Sequence, residues 1–162
     1  MRHEKLFALA TPYLEKNDFG AAHTKRVFDV AKKHFDIPKN IREKVYALII
    51  LHDIGGSSVK DQYEKGPRLA LKLMKPLGYP EKTINEVCVM ISTHHERLEN
   101  PLLAFKILYD ADQLVKFSKE EFSYYNSRGT DWNAITGSLY HAHAKTLARK
   151  MLDERILEDK HG

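Results

Sequence analysis

The chain has 162 residues, 43% of them hydrophobic and 30% charged, which suffices for a real core and suits a globular protein. A formal net charge of +4 and a pI near 9.0 arise from lysines and arginines spread along the chain, a balance that permits nucleic-acid binding without indicating it. No apolar run approaches the roughly 18 residues that a membrane span needs, and a lone cysteine, Cys88, excludes an internal disulfide, so the expected setting is the reducing cytoplasm.

The chain start, "MRHEKLFALATPYLEK", is charged in its first turns and lacks the apolar centre of a secretory leader. Periodicity predicts a first amphipathic helix over 4–16, stopped by Asn17 and Asp18. Asp18 is placed to cap a second over 19–34. Pro38 and Asn40 separate it from a third, 41–53, which Gly55 and Gly56 end. "SSVKDQYEKG" reads as a polar loop, and Pro67 suits the first turn of a fourth helix running to Leu77. A fifth covers 81–94 and a sixth 101–117. "SKEE" at 118–121 reads as a capping box for a short seventh. After the turn-rich "NSRGTDWNAITG", a last helix spans about 138–157. No alternation of strand type competes, so the expected fold is all-α, one domain over 1–162.

Within this pattern, "YALIILHDIGG" poses the main question. Five apolar residues, Ala47 to Leu51, belong inside the protein, yet they run directly into His52 and Asp53. A buried carboxylate costs several kcal/mol unless something neutralises it, roughly speaking. His52 shares a helical face with Val45, Leu48 and Ile49, and His23 shares one with Val27, Val30 and Ala31. On the sixth helix, Ala104, Leu108, Ala111 and Val115 form a stripe that includes Asp112. On the fifth, Val87, Cys88 and Ile91 lead into His94 and His95. A lone histidine on an apolar face is usually a hydrogen-bonded core residue. The coincidence on four helices points instead to a divalent cation, whose charge removes the cost of burying Asp53 and Asp112. The carbonyls ending the third helix also favour a cation there.

"YDADQL" offers two aspartates. Positions two apart on a helix point about 200° away from each other, so Asp110 and Asp112 cannot both reach one ion. Periodicity does not choose between them.

The ordered set H…HD…D, made of His23 in "AAHTKRV", His52-Asp53 in "LIILHDIG" and Asp112 in "YDADQL", resembles the HD-domain metal-dependent phosphohydrolase superfamily over about residues 19–117. The resemblance implies a compact helical bundle, here with an additional C-terminal helix, and a metal held by His23, His52, Asp53 and Asp112. It selects Asp112 over Asp110. It further implies hydrolysis of a phosphate ester, with a nucleotide among the candidates, by attack of a metal-activated water that Asp53 also orients. N/O ligands admit Mn, Fe, Co, Ni or Zn, and Mg is allowed. Some branches add a second metal through further histidines. "STHHERLENP" supplies His94 and His95 for a second metal or the substrate, but Gln62 or Tyr63 stands where another histidine is expected, so one firm metal is favoured. The glycines of "HDIGG" stand where other branches carry an acidic catalytic residue, and that role does not transfer.

Arg26, one turn after His23, and Lys116, one turn after Asp112, are candidates to bind the substrate phosphate, with Arg97 and Lys60 weaker ones. Tyr124, Tyr125 and Trp132 read as packing more readily than as a pocket wall. The main alternatives are an HD-fold di-iron oxygenase, against which the missing histidine counts, and a non-catalytic metal- or nucleotide-binding module, against which the intact ligand motifs count, since a pure scaffold has no reason to bury four ligand-type groups. The expected partner is a small-molecule phosphate ester.

Overall fold

A computed structural model describes residues 1–161. Among them the chain forms α1 (Arg2–Leu14), α2 (Gly20–His34), α3 (Arg42–Leu51), α4 (Val59–Met74), α5 (Glu81–Ile91), α6 (Leu103–Val115), α7 (Phe122–Asn126), α8 (Trp132–Ser138) and α9 (Ala142–His161). Short 3-10 turns at Lys39–Ile41 and Lys75–Leu77 precede α3 and follow α4. There is no strand among the described residues, and the fold is all-α. Among the described residues, no helix is long and apolar enough to cross a membrane.

Two helices form the interior. On α3, Val45 and every residue from Ala47 to Leu51 are buried, because α1, α2, α5 and α6 pack around it. On α6, the stretch from Ile107 to Asp112 is buried without a break. Each fully buried Leu or Ile contributes about 1.5–3 kcal/mol, so these two helices anchor the bundle. Their polar residues, His52 just past α3 and Asp110 and Asp112 on α6, are thereby drawn inside. The terminal helix α9 packs on α6 and α8 through Ala144 and Ala148.

Three local expectations are corrected. The segment "SSVKDQYEKG" is the start of α4, not a loop: Ser58 Oγ accepts from the Asp61 amide at 3.1 Å and begins the helix there. Pro67 consequently lies in the helix interior rather than in its first turn. The capping box at 118–121 does not form. The α7 helix begins only at Phe122, Ser118 Oγ has no hydrogen-bond partner, and Glu121 turns inward. Within the turn-rich stretch, Asp131 accepts from the Ala134 amide at 3.0 Å and caps α8.

Glycines let α4 approach the turn that carries Asp53. Gly55 has φ +114°, and a Cβ there would lie 3.0 Å from the Asp61 carbonyl oxygen. At Gly66 a Cβ would lie 2.8 Å from Ile91 Cγ2 and 3.0 Å from the Ile54 carbonyl oxygen. Gly66→Ala gains helix propensity, but the carbonyl cannot step aside as a side chain can. We expect a net loss of roughly 1–2 kcal/mol in urea unfolding. An unchanged midpoint would show that the approach of Gly66 to the Ile54 carbonyl is loose.

Candidate metal centre

The bundle brings His23, His52, Asp53, His94, His95 and Asp112 together, with His23, Asp53, His95 and Asp112 lining one cleft and His52 and His94 buried behind them. His23 comes from the first turn of α2, His52 and Asp53 from the turns after α3, and Asp112 from α6. His94 and His95 come from the turns after α5. Helix α3 ends at Leu51, two residues earlier than periodicity indicated, and this releases Asp53 from helical geometry to face the cleft.

Each of the buried histidines is anchored at Nδ1. His52 Nδ1 donates to the Ile49 carbonyl at 2.6 Å, and His94 Nδ1 donates to the Ile91 carbonyl at 2.7 Å. His23 Nδ1 lies 2.8 Å from Glu121 Oε2. A carbonyl or a carboxylate accepts only, so these contacts place a proton on Nδ1 and leave Nε2 as the nitrogen turned toward the other ligand-type groups. His52 Nε2 and His94 Nε2 are buried and have no hydrogen-bond partner, which is a cost unless a cation takes the lone pair.

The free nitrogens converge on two carboxylates. His23 Nε2 is 3.0 Å from Asp112 Oδ1 and 3.3 Å from Asp53 Oδ2. His52 Nε2 is 3.3 Å from Asp53 Oδ2 and 3.5 Å from Asp112 Oδ1. His94 Nε2 faces the other oxygen, Asp53 Oδ1, at 3.5 Å. Ligand atoms of His23, His52 and Asp112 all fall within 4.8 Å of one another, as do those of Asp53, His94 and His95. Asp53 therefore stands between two groups, one oxygen toward each.

Charge balance fits a cation. Burial favours neutral rings on His23 and His52, but the carboxylates outweigh it. Hydrogen bonds to Asp112 and Glu121 push His23 up to about 10, and Asp53 and Asp112 hold His52 well above the usual imidazole range. Burial likewise opposes charge on Asp53 and Asp112, yet the charge on His52 holds both carboxyls well below their ordinary values. Without a metal, protons supply the positive charge that the carboxylates require. A divalent ion at the same place meets the same need, replacing those protons at the Nε2 atoms. The residues fit such an ion.

His95 is prepared differently. Its Nε2 lies 2.6 Å from Gln62 Oε1, while Gln62 Nε2 donates to the Gly56 carbonyl at 2.8 Å. That second bond fixes the amide orientation, so His95 Nε2 donates and Nδ1 keeps its lone pair. Burial and the neighbouring His94 push the ring down to about 4, keeping it neutral. Tyr63 donates no proton here; its hydroxyl oxygen accepts from the His95 amide at 3.1 Å. Gln62 and Tyr63, which stand where a further ligand histidine was expected, thus both contact His95.

The HD domain family model matches residues 20–116, the stretch that supplies every one of these converging residues. The chain belongs to the HD domain family. HD domains bind divalent metals, and this HD domain has His/Asp groups able to hold one. No curated protein matches the sequence. The crystal structure of a predicted HD superfamily hydrolase from an uncultured Thermotogales bacterium superposes with a TM-score of 0.69. The two chains are 18% identical, with 98% of this chain and 89% of that one covered, a likeness that shows a shared fold.

Other candidates in the HD domain are redistributed. Asp110 is fully buried and turned away: it accepts from the Tyr140 and His141 amides, each at 2.8 Å, and from His141 Nδ1 at 2.7 Å. Arg26 does not line the cleft. Its Nε and Nη2 both reach Glu121 Oε2 at 2.9 Å, which engages the guanidinium expected to hold phosphate. Arg97 donates to the Ser138 carbonyl at 2.6 Å and stacks on Tyr140, and Lys60 does not line the cleft either. Lys116 does, with Nζ 5.2 Å from the Tyr125 ring centre.

The cleft has a volume of about 280 Å³. One wall is aromatic, made of Phe19, Tyr124 and Tyr125, with Phe19 and Tyr124 edge to face at 4.9 Å. The tyrosines were expected as packing; they face the cleft instead. Glu121 was missed because "SKEE" carries a complete local explanation as a capping box. The only hint was an apolar residue on each side of "SKEE", Phe117 and Phe122, both of them buried.

Proposed function

We propose that this HD domain is a metal-dependent phosphohydrolase that cleaves a phosphate ester, with a planar leaving group such as a nucleoside. The observation that carries the reading is the convergence of His23 Nε2, His52 Nε2, Asp53 and Asp112 on one point at the cleft floor. These residues would hold the first ion. Asp53, His94 and His95 form a weaker second position or contact the substrate.

A bound divalent ion supplies a Lewis acid for a phosphoryl oxygen and brings a water's pKa toward neutrality. The chain's own groups do the rest. Asp53 Oδ1, facing His94, takes the proton of the attacking water. His95, neutral and fixed by Gln62, contributes an uncharged acceptor at the same wall. Lys116 meets the non-transferred charge of the phosphate from the rim. Phe19, Tyr124 and Tyr125 offer aromatic ring faces against which a base stacks, worth about 1–3 kcal/mol per base in comparable sites.

Elemental analysis of the purified chain, followed by phosphate-release assays with Mn, Fe, Co, Ni, Zn and Mg returned singly, tests this. We expect about one tightly held transition metal per chain and phosphate release from nucleoside monophosphates only when it is present. Phosphate release by rigorously metal-free protein, or none with any metal across a broad ester panel, refutes it. A second reading, oxygen activation by two irons, draws on the position of Asp53 between two groups of ligand atoms. Two irons per chain together with oxygen consumption would select it.

A further inference from the structure

Glu121 is fully enclosed and belongs to neither group of converging ligand atoms. It lies between α6 and α7, and its Oε2 receives three contacts: His23 Nδ1 at 2.8 Å and Arg26 Nε and Nη2 at 2.9 Å each. Its other oxygen, Oε1, is buried with no partner.

That asymmetry is informative. If the residue served only to clasp α2 to the start of α7, the stable arrangement would be the forked one, with two guanidinium N–H groups on two carboxylate oxygens. Here Arg26 instead concentrates on the oxygen that also holds His23, and Oε1 is left unsatisfied. The geometry costs a hydrogen bond and gains a fixed imidazole. His52 and His94 are held by carbonyls of their own helices, three residues earlier in sequence. His23, in the first turn of α2, makes no such contact to its own helix; its Nδ1 meets the Glu121 carboxylate, 98 residues away in the chain, instead. A carboxylate also makes the imidazole a stronger donor at Nε2 than a carbonyl does.

We propose that Glu121, held by Arg26, is a positioning residue: it fixes the Nδ1–H tautomer of His23 and strengthens its Nε2 as a metal ligand. This rests on the reading of the cleft as a metal site. It also gives Arg26 a function behind the site in place of the phosphate contact expected from its spacing.

The test is Co²⁺ affinity of the full-length chain by calorimetry, with the His23 tautomer read from imidazole ¹⁵N shifts. Glu121→Gln keeps an acceptor oxygen and nearly the same shape. Combining Glu121→Leu with Arg26→Met removes both charges together, so neither is stranded in the interior. We expect the double variant to weaken Co²⁺ binding about 10- to 100-fold, with His23 shifting toward the Nε2–H form. Glu121→Gln should fall between it and the parent. Should the double variant not fold, Glu121→Gln alone decides. Co²⁺ affinity within about twofold of the parent, with the His23 tautomer unchanged, overturns the proposal and leaves a structural clasp. A parent chain that binds no Co²⁺ overturns the metal reading as well, so the two failures are distinguishable.

Discussion

Asp53→Ala is expected to remove the tightly held metal and to lower phosphate release by at least roughly three orders of magnitude, with the helical content unchanged. The size of the effect follows from where the carboxylate stands. Oδ2 faces His23 and His52, and Oδ1 faces His94, so one truncation takes a ligand from both groups of donors. The histidines that remain keep their Nδ1 anchors and their orientation, but lose one of the two negative charges that draw a cation among them. The fold should tolerate the change. Asp53 follows the end of α3, and its backbone carbonyl, which Asn17 Nδ2 contacts at 2.9 Å, is retained in alanine. Loss of Asp53 also relieves its repulsion with Asp112, which offsets part of the lost attraction to the histidines. Metal content by elemental analysis and circular dichroism on the same sample check the prediction. Stoichiometric metal with full turnover in this variant would remove Asp53 from the site.

How much could be read before the coordinates depended on whether a residue's partner was local. The helices α2, α3 and α6 were legible because their apolar stripes repeat at helical spacing, and His23, His52 and Asp112 were visible as polar residues on those stripes. The first turns of α4 were not, because its buried face begins with Gln62 and Gly66 and becomes apolar only from Ala70 onward. Those two residues are small or polar for reasons that lie outside the helix: Gln62 holds His95, and Gly66 admits Ile91 and the Ile54 carbonyl. Glu121 shows the same limit more sharply. A capping pattern four residues long explained it completely, while its actual partner, His23, lies 98 residues away in the chain. Arg26 was correctly placed one turn from His23, yet spacing along one helix says nothing about what the long side chain meets beyond it. The choice of Asp112 over Asp110 came from the family resemblance; the structure adds what Asp110 does instead.

Asp110→Ala is expected to produce the opposite pattern from Asp53→Ala: a stability loss of about 2–4 kcal/mol with metal content intact. Asp110 leaves α6 on the side facing α9, where Oδ1 accepts from the Tyr140 amide and Oδ2 from the His141 amide and ring. These amides immediately precede α9, whose first residue is Ala142, so a side chain from α6 ties down the chain where it enters that helix. A carboxylate at that end also meets the positive pole of a 20-residue helix. Alanine would leave two amides unpaired beside a buried helix and free His141 from its only side-chain contact to α6. For a chain of this length the melting temperature should fall by roughly 5–12 °C. Asp112→Ala, two residues on and facing the other way, should lose metal with a far smaller change in the metal-free melting temperature. If Asp110→Ala instead emptied the site while melting normally, the two aspartates would have to exchange roles, and α6 would have to be rotated by about half a turn from the position that buries Ile107, Leu108 and Ala111.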